Sequence, residues 1–216
     1  MENIEDSIKI YQLKISLVGI SPSIWRRVLL RSDSTIMDLH YVIQFLMGWT
    51  DQHLNRFVIY GKEYGVYHSG GLMFQDDPEK ICLDQFNFRL KERFQYEYNF
   101  YDSWMHEIRL EKIIDYIPSK TYPVCISGSG GTPPEDCGGT WAFMELKQNY
   151  SHLDIKNRLI DIAYGFVEVT PEIIDELKFW INIYYFDRSA VNQKLSHYSE
   201  YGLNPEHWSE ELELCV

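Results

Sequence analysis

RFQYEYNFYDSWMHEIRL, residues 93–110, is the stretch whose reading decides the fold. Its first half alternates strictly, with Phe94, Tyr96, Tyr98 and Phe100 on one side and Gln95, Glu97 and Asn99 on the other. After Tyr101-Asp102-Ser103 the period resumes. Trp104, His106, Ile108 and Leu110 share a face opposite Met105, Glu107, Arg109 and Glu111. A period of two on both sides of a short polar break predicts two antiparallel strands joined by a turn. The alternation places His106 on the inner, apolar face beside Trp104.

Upstream lies a second hairpin. Ile10, Leu13, Ile15 and Leu17 alternate with Lys9, Gln12, Lys14 and Ser16, and the period slips once near Tyr11. That slip puts the start of the strand at Gln12. Gly19-Ile20-Ser21-Pro22 turns the chain into a strand over residues 24–31, IWRRVLLR, with Arg26 and Arg27 expected as a pair on its outer face. Thr35 and Asp38 form a capping-box pattern. The helix they open carries Ile36, Leu39, Ile43, Leu46 and Met47 at helical spacing, His40 beside that stripe, and Gly48 at its end. Residues 57–60 read as a short strand, 61–78 as a long irregular and mobile segment, and 81–83 as another short strand.

Downstream the pattern turns helical. Helices are predicted over residues 141–149, 157–164 and 187–201, and one more is capped by Thr170 with Pro171 at its first position. Strands first, with one early helix, and then helices predict an α+β fold. It would be an antiparallel or mixed sheet of hairpins with helices packed on it and a helical C-terminal part. Residues 1–203 read as one domain. Residues 204–216, with Glu206, Glu210, Glu211 and Glu213, read as an acidic tail.

Between sheet and helices lies YPVCISGSGGTPPEDCGG, residues 122–139, denser in Gly, Pro and Cys than any other stretch. A short strand over 122–126 leads into a shaped loop, and shaped loops on a scaffold are where sites are built. The formal charge of −12 disfavours phosphate-driven binding of nucleic acid. Four cysteines in 216 residues do not make a disulfide framework. MENIED opens the chain without an apolar leader, and no run reaches the length of a membrane span. These features predict a cytoplasmic protein with reduced thiols.

Four segments resemble a known family: SPSIWRRVLL (21–30), TIMDLHYVIQFLMGWTDQHLNRF (35–57), YEYNFYDSWMHEI (96–108) and the loop 122–139. A fifth, YFDRSAVNQKL (185–195), resembles its closing helix. The chain resembles the plasmid ORF-three-like family, named from a root-inducing Agrobacterium plasmid and also described as a passenger of transposable elements. The resemblance implies a compact α+β domain and an association with mobile genetic elements, without implying a reaction. Relatives often carry Asp and Gly where Asn99 and Tyr101 stand here, Arg and Cys at Gly130 and Thr132, and His at Asn55.

Three chemistries are open to these residues. Cys125, Cys137 and His106, with help from His53, Asp102, Glu135 or Asp136, have ligand types that suit zinc, although the spacing matches no zinc motif. Asp102, His106, Glu135, Asp136 and Cys137 are the candidate catalytic set, with a Cys137–His106 pair suited to thiol chemistry. Against these stand structural roles. Cys125 would be a buried small hydrophobe, Cys137 would pack under the Gly-Gly turn, and Asp136 would lock the loop by accepting backbone N–H groups. Tyr96, Tyr98, Phe100, Tyr101 and Trp104 could serve recognition or simply core. The sequence therefore points first to a non-enzymatic binding or accessory protein with a protein partner and no resident cofactor. The alternative is a small metal- or thiol-dependent hydrolase built at the Asp102–His106 hairpin and the Cys125–Cys137 loop.

Overall fold

The computed structural model describes residues 8–67, 71 and 73–202. The acidic stretch at 204–216, and residues 68–70 and 72 of the segment expected to be mobile, lie outside the described residues. Strands β1 (Lys9–Leu17), β2 (Trp25–Arg31), β3 (Asn55–Ile59), β4 (Lys62–Tyr64), β5 (Arg93–Tyr98), β6 (Trp104–Asp115) and β7 (Val124–Ser129) form one seven-stranded sheet. Its order is β4-β3-β5-β6-β1-β2-β7, and every neighbouring pair is antiparallel, so the mixed alternative falls away.

The β5–β6 hairpin has the expected register: Phe94 faces Ile108, Tyr96 faces His106, and Tyr98 faces Trp104. All six side chains are buried. The slip of period near Tyr11 does not break the strand. The β1–β6 register shifts between Gln12 and Leu13, and Tyr11, Gln12 and Leu13 are all buried. The extra residue of this bulge is Glu111 of β6. Strand β1 itself keeps an unbroken register with β2 from Ile10 to Ser16, with Tyr11 in the inner row of Leu13, Ile15 and Leu17, so β1 begins at Lys9 and not at Gln12. The segment 81–83 makes only one bridge, Thr35 to Cys82, before a single 3-10 turn (Leu83–Phe86).

Rows of side chains cross the inner face of the sheet. One runs Phe57, Tyr96, His106, Leu17, and the next runs Phe94, Ile108, Ile15, Arg26. Arg26 therefore faces the core, 1% exposed, which corrects the expected outward pair. Strand alternation permits only one of two adjacent residues to point outward. That one is Arg27, held by Glu111 through Nε at 2.6 Å and Nη2 at 3.1 Å.

Helix α1 (Ile36–Met47) covers the inner face with Leu39, Val42, Ile43 and Leu46 fully buried. The Thr35–Asp38 capping box opens it, and Gly48, at φ 69°, stops it. Helices α2 (Gly139–Asn149), α3 (His152–Ala163), α4 (Pro171–Asn182) and α5 (Arg188–Tyr201) make the C-terminal part. Helix α3 begins five residues before the expected 157 because Ser151 caps it, accepting from the Asp154 N–H. Helix α5 lies along β7. The Asn192 amide accepts from Cys125 N at 2.8 Å and donates to Cys125 O at 2.9 Å, as a neighbouring strand would. The β7 edge of the sheet is covered there by a helix. No helix among the described residues is long and apolar enough to cross a membrane.

Arg26 ties these layers together. Its guanidinium donates to Leu46 O at the end of α1 (3.0 Å), to Trp25 O (3.0 Å), to Ser129 O at the end of β7 (2.9 Å) and to Thr132 Oγ1 (3.0 Å). Phe186 lies over its plane at 3.8 Å. A lysine ammonium cannot reproduce this planar fork. Arg26→Lys is expected to destabilise the fold by about 2–4 kcal/mol, because buried carbonyls lose their donors. Urea unfolding followed by circular dichroism checks this, and a change below about 0.5 kcal/mol would contradict it.

Candidate functional site

The loop after β7 folds back over the closed end of the β5–β6 hairpin and the exit of α1. Two indoles seat its backbone: Trp49 Nε1 donates to Pro133 O (3.1 Å), and Trp104 Nε1 donates to Glu135 O (2.8 Å). Trp49 itself stacks on Tyr98 at 5.2 Å. Glu135 turns inward. Tyr98 donates its hydroxyl to Oε1, while Thr50 donates to Oε2 through its N–H (3.0 Å) and Oγ1 (2.7 Å). Burial and the Glu135 carboxylate push the Tyr98 pKa far up, so the phenol keeps its proton.

Asp136 turns outward, where its Oδ1 meets His53 Nε2 at 2.8 Å and accepts from Asn99 Nδ2 at 3.1 Å. The two adjacent carboxylates thus take opposite sides. Locking of the loop, expected of Asp136, falls instead to Glu135 and to Asp102, whose Oδ2 accepts from Gly138 N at 3.0 Å. The close approach demands glycine at the next position. Gly139 has φ 78°, and a Cβ there would lie 2.2 Å from Asp102 O.

The remaining candidates are poorly placed for chemistry. Cys137 is half-buried, and burial followed by the Asp102 charge raises its pKa to about 11, so it stays a thiol at neutral pH. Cys125 is buried, its pKa raised by burial, and its Sγ lies 3.5 Å from Ser127 O. His106 is fully enclosed. Its Nδ1 donates to Trp104 O at 2.9 Å, and burial lowers its pKa to about 4.

The structure brings Asp102, Glu135, Asp136 and Cys137 to one seam, with His106 beneath the Trp49 ring at 5.5 Å. It does not bring Cys125, Cys137 and His106 together as a zinc set. Among the described residues, no three His, Cys, Asp or Glu side chains are grouped to hold a metal. Cys125 on β7 and His106 on β6 are separated by β1 and β2, three strand spacings or about 14 Å. His40 is a hydrogen-bonded core residue, with Nδ1 2.8 Å from Tyr96 Oη and Nε2 2.8 Å from Asp51. Sequence reasoning missed Trp49 and Thr50 as anchors of the loop. Their one signal is their position just past the helix-ending Gly48.

A family model described as plasmid pRiA4b ORF-3-like protein matches residues 9–163. The chain belongs to the plasmid pRiA4b ORF-3-like family. The match runs from β1 through α3, so it includes the whole seam, whereas α4 and α5 lie beyond it. The uncharacterized protein y4hQ of Sinorhizobium fredii is 29% identical over 138 residues, 63% of this chain and 71% of that one. The crystal structure of a protein of unknown function, MM3350 from Methanosarcina mazei, superposes with a TM-score of 0.62 at 30% identity. It covers 84% of this chain and 96% of that one.

Glu135→Ala leaves the Tyr98 hydroxyl and two Thr50 donors without their acceptor and is expected to cost about 2–4 kcal/mol in urea unfolding. Asp136→Ala, at an exposed carboxylate, is expected to cost below about 1 kcal/mol in the same assay. Equal costs would contradict this division of roles. His106 predicts a pH dependence. Its pKa falls from 6.5 to about 4 on folding. Between those values the unfolded chain binds a proton that the folded chain excludes, so stability is lost as pH falls through this window. The contribution is up to about 3 kcal/mol. In His106→Gln the slope of stability against pH between about 4 and 6.5 should flatten by that amount.

Proposed function

We propose that this member of the plasmid pRiA4b ORF-3-like family is a non-enzymatic binding or accessory module associated with mobile genetic elements. Its partner is a protein, engaged by the hairpin tip and the outer rim of the loop. The observation that carries this reading is that the polar groups of the seam already hold one another. Both Glu135 oxygens accept hydrogen bonds, Asp102 holds Gly138, and the Cys137 thiol keeps its proton. A base or nucleophile needs a free lone pair directed at a substrate. Groups occupied in this way build a rigid support instead.

Two large aromatics stand on that support. Tyr101 in the hairpin turn is 95% exposed, and Trp141 in the first turn of α2 is 78% exposed. Each lies within three residues of the Gly138–Asp102 hydrogen bond. Tyr and Trp on rigid elements supply contact area at small entropic cost and dominate protein interfaces. The charge of −12 favours a protein partner over nucleic acid.

The alternative, a small metal- or thiol-dependent hydrolase at the same seam, draws on one observation: the His53–Asp136 pair at 2.8 Å stands at the solvent edge, with Asp136 70% exposed.

The test compares the purified full chain with Tyr101→Ala and Trp141→Ala. Both variants should keep the native circular dichroism spectrum and capture the host partner at least about tenfold more weakly, as loss of interface anchors does. Elemental analysis of wild type should find no stoichiometric metal. A bound metal lost in Cys137→Ser, or ester hydrolysis lost in His53→Ala, would establish the hydrolase instead.

A further inference from the structure

Arg26 leaves a positive charge that the fold does not neutralise. Its guanidinium is 1% exposed, and its four acceptors are three carbonyls and a hydroxyl, all uncharged. Among the described residues no carboxylate forms an ion pair with it. Burial lowers its pKa to about 10. A buried cation without an anion is costly.

Beside Arg26 lies a cleft of about 180 Å³ between the end of α1 and the start of α5. Its wall includes Lys194, which has no ion pair among the described residues, together with Thr132, Phe45, Met47 and Val191. Asp187, Ala190, Val191 and Lys194 bring one face of α5 to the cleft at helical spacing. Asp187 is the acidic residue on this wall, and its Oδ1 caps α5 by accepting from the Ser189 and Ala190 N–H groups at 2.9 and 3.0 Å. The cleft therefore joins two cations to an apolar wall.

We propose that this cleft binds a small organic monocarboxylate, its carboxylate beside Lys194 and Arg26 and its apolar body against Phe45, Met47 and Val191. The size and the donors select this class. The volume lies below the roughly 300 Å³ at which drug-sized ligand sites begin. Gly131 N–H already donates to Ile183 O at 2.8 Å, and Arg26 already serves four acceptors, so few donors remain. The two oxygens of a carboxylate can be met by the Lys194 ammonium and by the one N–H that the four acceptors of Arg26 leave over. No residue of the hairpin tip lines this cleft, so a ligand here is independent of the partner surface.

The full chain is titrated with sodium butyrate and sodium benzoate, against sodium phosphate and sodium chloride at matched ionic strength and neutral butyramide. Melting temperature and the backbone amide NMR shifts of residues 186–195 are followed. A saturable rise in melting temperature with at least one carboxylate is expected. The amide shifts should move in the same titration, and phosphate and butyramide should produce neither effect. Lys194→Met should weaken binding at least about tenfold. Ala190→Phe, which fills the cleft, should abolish it while the chain stays folded. The proposal is overturned by an equal response to butyramide, by a stronger response to phosphate, or by unchanged affinity in Lys194→Met. Absence of saturation with either carboxylate below about 50 mM would also overturn it.

Discussion

The buried guanidinium of Arg26 is the interaction on which the layers of this protein depend. It lies on the core face of β2, yet it reaches the last turn of α1, the end of β7 and the loop at Thr132. Leu46 O sits at a helix C-terminus, where the backbone dipoles leave partial negative charge, so α1 offsets part of the cost of burying the cation. Neighbouring positions accommodate the same side chain. A Cβ on Gly128 would lie 2.4 Å from the Phe186 ring and 3.1 Å from Arg26, so β7 can run against this stacked pair only as glycine. One polar group thus sets the distance between sheet, helix and loop that the apolar contacts then fill.

The seam around Glu135 works by the same logic on a smaller scale. Two buried indoles, a phenol and a threonine hold a proline-rich loop that has no ladder of its own. Partly satisfied networks in a low-dielectric setting are costly, whereas complete ones rigidify their surroundings. This network is close to complete, with the Glu135 and Asp102 carboxylates as its acceptors. Membership of the plasmid pRiA4b ORF-3-like family agrees with a shared framework, since the match covers the hairpin, α1 and the loop together.

The amino-acid sequence by itself determined the secondary structure of the β5–β6 hairpin, the capping box and stop of α1, and the placing of Tyr96 with Tyr98, and of Trp104 with His106, on one face of their strands. Each rests on local periodicity or on contacts within a few residues, which sequence spacing encodes directly. Only the tertiary structure decided the β6 bulge opposite Gln12, the inward turn of Arg26 and the partners of Glu135, Asp136 and Asp102. Those depend on groups far along the chain, such as Gly138, 36 positions from Asp102, and Thr132, 106 positions from Arg26. It also separated Cys125 from His106 by three strand spacings. Strand order follows from how the hairpins pack, and a single sequence carries no record of that distance.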